Sequence, residues 1–404
     1  MRNVAGLAIT ISAAFMAVVA VMLDAPSMFY MATALIATIG TCRLQSWLAV
    51  RALRFDRIAP ESARIGDRVT VELVCWSERR IRRTLITVYD KLPGRMIIAE
   101  RSPSLPIAPA YDLPVRTQYQ FRPLKRGLYK WSGVIVEGTD ALGLVTRTLE
   151  YPTTPTEITV LPRPIPVSIE MPTAAGWGIS EAESGQTRGA GLEPRGIREF
   201  SHGDSLRHIH WRSTAKTGRL LVKEFEAGTH AAAAFVIQAT EGSEVGQGAN
   251  TSLELMVGHT VFLAETFLRQ GARVEFPGLE ERGSHHSVAE RTNEIYEVLA
   301  SVHADSPLSV ATQIAAASDG LPPGSVLFVL LAVADPDLPA ALIRIQQTGT
   351  RVVPLLYDAD AFKGKQKVIS ATAPDYVRSL RSVGAHPIVM PTDGALLEAK
   401  HEGA

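Results

Sequence analysis

The chain has 404 residues, 46% of them apolar and 20% charged, which excludes a wholly disordered chain and allows two or three domains. Its 41 Lys and Arg balance 41 Asp and Glu, so net charge gives no argument for nucleic acid or another polyanion as partner. Two cysteines, Cys42 and Cys75, exclude a disulfide scaffold and a four-cysteine zinc site.

Residues 4–23 carry no charge, and a helix of that length spans about 30 Å, one hydrocarbon core. Asp24 and Pro26 mark a turn, and residues 25–42 form a second uncharged stretch. Arg2 precedes the first stretch; Arg43, Arg51, Arg54 and Arg57 follow the second against Asp56 alone. The turn has no Lys or Arg. By the positive-inside rule this predicts a transmembrane helical hairpin in the cell (inner or plasma) membrane, multi-pass, with both ends and the large carboxy-terminal body cytoplasmic. Two other readings compete: a cleaved signal peptide, weakened by the missing Ala-x-Ala site, and a buried soluble hairpin. Residues 44–57 are expected to form a juxtamembrane helix with Trp47 at interface depth and arginines near anionic headgroups, or a solvated basic flank. The first domain is therefore expected over 1–57, with the lipid bilayer as a partner.

From 58 to 165 the period is two. Val69, Val71 and Leu73 alternate with Thr70 and Glu72; Val115, Thr117, Tyr119 and Phe121 alternate with Arg116, Gln118 and Gln120. Further short runs lie at 85–88, 133–136 and 158–161, punctuated by Pro93-Gly94 and Arg126-Gly127. The pattern predicts an antiparallel β-sandwich. A proline-rich stretch at 161–172 and a Gly/Ser/Ala-rich one at 173–190 read as an exposed, partly mobile linker. With the segment after it, 166–229 forms a linking region.

From 230 to 404 strands and helices alternate. Strands are expected at Ala232–Ile237, 273–276, 325–332, 352–357 and 387–390. Helices are expected at 253–268, 295–302, 338–347 and 372–383, the first stopped by Gly271. This is the pattern of a doubly wound parallel α/β domain.

The densest polar segment lies between the two domains, from Gly191 to Glu226. His202, Asp204, His208 and His210 are spaced as a divalent-metal site would be, or as ordinary hydrogen-bonding residues beside a Gly-Asp turn. Arg195, Arg198, Arg207, Arg212, Lys216, Arg219 and Lys223 interleave with Glu193, Glu199, Asp204, Glu224 and Glu226, a network suited to holding irregular backbone in one geometry. Trp211 and Ile209 are expected to bury against a domain face. The segment is read first as a structural stitch, then as a partner-docking surface. Only Trp211 and Phe200 are available to stack on bases, so nucleic-acid binding is disfavoured.

Arg198-x-Phe200-x-x-Gly203-Asp204-x-x-Arg207-x-Ile209-x-Trp211-x-x-x-Ala215, with Lys223 and Phe225 downstream, resembles the signature of the family called domain of unknown function 58. Leu124-Lys-Arg-Gly-Leu-Tyr129 and Asp140-Ala-Leu-Gly-Leu144 resemble that family's preceding β region. The resemblance implies a von Willebrand factor A-like carboxy-terminal domain and partnership with a MoxR-type AAA+ ATPase in protein maturation or envelope stress. Of the four metal candidates only Asp204 matches a family position. Where such a fold places Asp-x-Ser-x-Ser after its first strand, this chain has Gln238-Ala-Thr240-Glu241-Gly-Ser243; Gln238 at the aspartate position loses the charge that holds the cation, which disfavours a metal there although Thr240, Glu241 and Ser243 offer oxygens.

The chain has no Gly-x-x-x-x-Gly-Lys-[Ser/Thr] loop, no Gly-x-Gly-x-x-Gly after a strand and no Gly-x-Ser-x-Gly elbow. The favoured expectation is a non-enzymatic membrane-anchored adaptor without catalytic residue, cofactor or metal. Its interaction residues would be Arg198, Phe200, Gly203, Asp204, Arg207, Ile209, Trp211, Ala215 and Lys223. The alternatives are a metal-dependent hydrolase using His202, Asp204, His208 and His210, and a pure membrane scaffold organising other envelope proteins through the β-sandwich.

Overall fold

The computed structural model describes residues 4–80, 83, 86–99, 104–111, 113–169, 194–199, 210–225, 232–279, 287–321, 325–347, 350–362 and 367–392. It divides into two compact units, one over 1–163 and one over 164–398.

The first unit begins with α1 (Val4–Met22) and α2 (Pro26–Ala49), which pack against each other across the turn at Asp24. Among the described residues α2 is the one helix long and apolar enough to cross a membrane; Gly6–Met22 is apolar but shorter. The expected helix over 44–57 stops early. α2 ends at Ala49, Ala52 takes a left-handed φ of 52°, and β1 (Leu53–Ile58) follows. The physical reason is the period of two in Leu53-x-Phe55-x-Arg57, whose members are all buried.

The remaining strands are β2 (Ser62–Arg64), β3 (Val69–Ser77), β4 (Ile86–Asp90), β5 (Ser104–Ile107), β6 (Val115–Phe121), β7 (Gly127–Thr139) and β8 (Thr146–Leu161). They form a three-stranded antiparallel sheet, β1-β3-β6, and a five-stranded sheet, β2-β8-β7-β4-β5, antiparallel except at the β2–β8 edge. Alternation puts Val71, Leu73 and Phe121 of the first sheet in one apolar cluster with Ile86, Val88, Val134, Val136, Ile158 and Val160 of the second. Each such side chain contributes about 2 kcal/mol by leaving water.

In the second unit, β9 (Pro194–Glu199) and β10 (Leu221–Phe225) pair antiparallel, with α3 (Trp211–Thr217) between them in sequence. Then come β11 (Ala232–Ile237), the two-residue strands β12 (Gly246–Gln247) and β13 (Asn250–Thr251), α4 (Ser252–Arg269), β14 (Arg273–Glu275) and α5 (Val288–Ala300). α6 (Val310–Ser318), β15 (Val326–Leu331), α7 (Leu338–Gln346), β16 (Arg351–Leu356), α8 (Pro374–Ser382) and β17 (Ile388–Val389) complete it. The parallel sheet runs β14-β11-β15-β16-β17. Ala234 and Val236 of β11 face α6 and α7, while Phe235 packs on Phe267 of α4. Helices therefore cover both faces, which is why β11 and β15 are apolar at every position. Thr251 with Glu254, and Ser287 with Glu290, cap α4 and α5 as Ser/Thr-x-x-Glu boxes.

Candidate functional site

The candidate site of the sequence, 191–226, is described only in part. Phe200, Gly203, Asp204, Arg207 and Ile209 lie outside the described residues, as do His202, His208 and the 173–190 linker. What is described is a small framework. β9 and β10 place Arg198 opposite Val222 and Ile197 opposite Lys223. The amide of His210 donates to Leu221 O at 2.8 Å, and the amide of Leu221 donates to Thr214 Oγ1 at 3.0 Å. These two bonds sew the start of β10 onto α3.

His210 is the N-cap of α3: its Nδ1 accepts the Ser213 amide at 3.2 Å and lies 2.8 Å from Ser213 Oγ. With Nδ1 accepting, a neutral ring carries its proton on Nε2. Gly218, at φ 69°, closes the helix by donating its amide to Thr214 O. Trp211 is 66% exposed and Ala215 is exposed. The expected burial of Trp211 is thus corrected, because a seven-residue helix with no buried position offers no apolar face to seat it.

A doubly wound sheet binds ligands at the carboxyl ends of its strands, where strand order reverses, here between β11 and β15. That place is closed by Gln238. Its Nε2 donates to Val333 O at 2.9 Å, and its Oε1 accepts the amides of Ala332 and Val333, each at 3.0 Å. Thr240 Oγ1 donates to Leu308 O and Ser243 Oγ to Thr240 O. Buried Asp335 accepts the amides of Ala311 at 3.0 Å and Asp337 at 3.0 Å, capping α6. The side chains at this crest bond to the chain itself, and among the described residues no three His, Cys, Asp or Glu converge as metal ligands.

A cleft of about 1050 Å³ flanks edge strand β14. Phe276, Leu279 and Val302 give it an apolar wall, and His303, Asp305 and Gln313 a polar rim. No sequence motif marked it, since its lining comes from separate turns.

In the first unit, reading the sequence missed a buried polar centre. Arg57 and Asp90, both with fully buried side chains, form a two-point ion pair, with Arg57 Nε to Asp90 Oδ2 at 2.9 Å. Tyr119 OH also donates to Asp90 Oδ2, and Arg57 donates to Trp131 O at 3.2 Å and Gly133 O at 3.1 Å. Burial, with the Asp90 charge beside it, pushes the Tyr119 hydroxyl well above its ordinary value. The available signal was the period of two: Arg57 follows Leu53 and Phe55, and Asp90 follows Ile86 and Val88, on inward positions. The group is structural, with no opening to a ligand.

Together these features define a mixed α/β protein with several sheets and, among the described residues, one helix near its amino terminus long and apolar enough to cross a membrane. Residues 196–353, less than half of the chain, match the family described as "Protein of unknown function DUF58". No curated protein matches the chain. Among solved structures, the complex of zinc 2-glycoprotein with prolactin inducible protein from human seminal plasma is 15% identical. That match covers 28% of this chain and 97% of that one, with a TM-score of 0.20. A β-glucosidase from Listeria innocua is 12% identical over 25% of this chain and 16% of its own, with a TM-score of 0.16.

Proposed function

We propose that the chain is a non-enzymatic, membrane-anchored interaction protein whose 191–226 segment docks a partner. The observation that carries this reading is α2: 24 residues, no charge before Arg43, and exposed apolar side chains at Phe29, Tyr30, Met31 and Ile36. Such a surface is costly in water and suited to lipid. α1 packed beside it is read as the second span of a multi-pass hairpin, and the arginines of its flanks favour a cytoplasmic body by the positive-inside rule. The shared core of the two antiparallel sheets favours a β-sandwich, and the parallel sheet a von Willebrand factor A-like domain. A docking rather than catalytic role is supported by the crest of that sheet, where Gln238, Thr240, Ser243 and Asp335 bond to the chain itself.

By resemblance to the family, the partner is a MoxR-type AAA+ ATPase working in protein maturation or envelope stress. The test is a crosslinking pull-down from native membranes, comparing wild type with the Asp204→Ala/Arg207→Ala chain. The expected result is an AAA+ ATPase held by wild type and lost from the variant. Equal capture by both chains, or capture by neither, rejects the docking role.

A further inference from the structure

Residues 140–145, the connection between β7 and β8, make a turn closed on itself and fastened to α2. The Asp140 carboxylate accepts the amides of Leu142 at 2.9 Å and Val145 at 2.5 Å. Asp140 O accepts the Gly143 amide at 3.1 Å, and the Asp140 amide donates to Val145 O at 3.3 Å. The Ala141 amide donates to Gln45 Oε1 at 3.2 Å, on α2. Burial acts to raise the Asp140 carboxyl; the Val145 amide, the Cys42 thiol and the Leu142 amide outweigh it and hold the group below its ordinary value.

Three features of this turn converge. Its amides at 140, 141, 142, 143 and 145, five of the six, have acceptors within the chain, so a low-dielectric layer would strip no water from them. Its tip, Ala141-Leu142-Gly143, is exposed and uncharged, with Leu142 at 64%. Its attachment point fits the depth of a bilayer: Gln45 lies roughly 28 Å along α2 from Pro26 at about 1.5 Å per residue, and a hydrocarbon core is about 30 Å thick. Beside it stand exposed Leu44 and Arg43, with Arg51 stacked 4.1 Å over Trp47, residue types that gather at headgroup depth.

We infer that the 141–144 turn lies in the boundary between headgroups and hydrocarbon, giving the β-structured body a lipid contact of its own beside the helix. This rests on the membrane-anchored reading above. It makes the body a fixed neighbour of the bilayer surface rather than a domain swinging on a tether.

The test uses the full chain with Leu142→Cys, labelled with an environment-sensitive fluorophore and reconstituted into phosphatidylcholine/phosphatidylglycerol vesicles containing lipids spin-labelled near the headgroup. Thr70→Cys, exposed on β3, serves as the reference, and both native thiols are buried. The expected result is quenching several-fold stronger at 142 than at 70. Equal quenching at both positions, in a chain that floats with the vesicles, overturns the inference. A chain that does not float with the vesicles rejects the anchored reading itself and the turn's placement with it, so flotation separates the two failures.

Discussion

Asp90 serves four donors at once, from Arg57, Tyr119 and Trp131, and no water reaches it. Removing one member of a buried ion pair leaves the other charge in a low dielectric, at a cost of about 3–5 kcal/mol. Asp90→Ala is therefore expected to lower the melting temperature sharply in detergent, while Tyr119→Phe, which removes one hydroxyl, costs about 1–2 kcal/mol. A thermal melt of the three chains decides this; an Asp90→Ala chain as stable as wild type would remove the ion pair from the account. His259 poses the opposite problem. It is buried in α4, its Nδ1 lies 3.0 Å from the hydroxyl of fully buried Tyr357, and desolvation lowers it from 6.5 to about 4. Between those values the unfolded chain binds a proton that the folded chain refuses, so stability is full above the higher value and falls as pH drops through the interval. The loss is about 2 kcal/mol at about pH 5. A series of melts between neutral pH and about pH 5 checks it, and the His259→Gln chain should lose that slope.

The end of α2 shows how elements fit. Arg83 donates to the carbonyls of Leu48 and Ala49 at 3.4 and 3.2 Å, and to that of Arg51, capping the helix where its own amides run out. Tyr151 OH donates to Val50 O at 2.6 Å. Gly138 of β7 makes the contact possible, since a Cβ there would stand 2.6 Å from Val50 Cγ1 and 3.0 Å from Ala49 Cβ. Gly138→Ala is expected to destabilise the first unit by about 1–3 kcal/mol through this overlap. Proteolysis of the solubilised chain should then cut near residue 50 faster than in wild type; an unchanged rate would mean the helix end shifts freely. Most elements were legible in their periods: β3, β6, β11, β15 and α4 stand where alternation or helical spacing put them. α6 was missed, although Ser309 caps it through the Thr312 amide at 3.2 Å, because its short apolar stripe of Val310, Ile314 and Ala317 is too brief to separate from a loop. β1 falls within the expected juxtamembrane helix because Arg54 and Arg57 inside it, with Arg43 and Arg51 before it, read as a membrane flank.

For the whole molecule, the basic flank is thinner than the sequence suggests. Arg57 is buried with Asp90 and Arg54 pairs with Glu78, which leaves Arg43 and Arg51 as the basic flank of the proposed membrane helix. Arg2, Arg43 and Arg51 still stand against a turn without Lys or Arg, so the positive-inside rule still favours the cytoplasmic body proposed above. It predicts that Thr70→Cys resists a membrane-impermeant maleimide in intact cells and reacts after permeabilisation; labelling in intact cells would invert the topology. The native background is silent, because Cys42 and Cys75 are buried and burial pushes the Cys75 thiol up to about 12.

Much of the local order in this protein follows from its sequence alone. Uncharged length set out α2, period two set out β3 and β6 of the first unit, and the unbroken apolar runs of β11 and β15 announced a sheet covered on both faces. Those signals are carried by neighbours in the chain. The Arg57–Asp90 centre, the bonds of Gln238 to Ala332 and Val333, the seat of α2 on Gly138 and the fastening of the 140–145 turn to Gln45 join residues far apart in sequence. For a long polar side chain, the sequence limits which face it occupies, but the packing of the other strands determines whether that face meets water, lipid or an opposite charge.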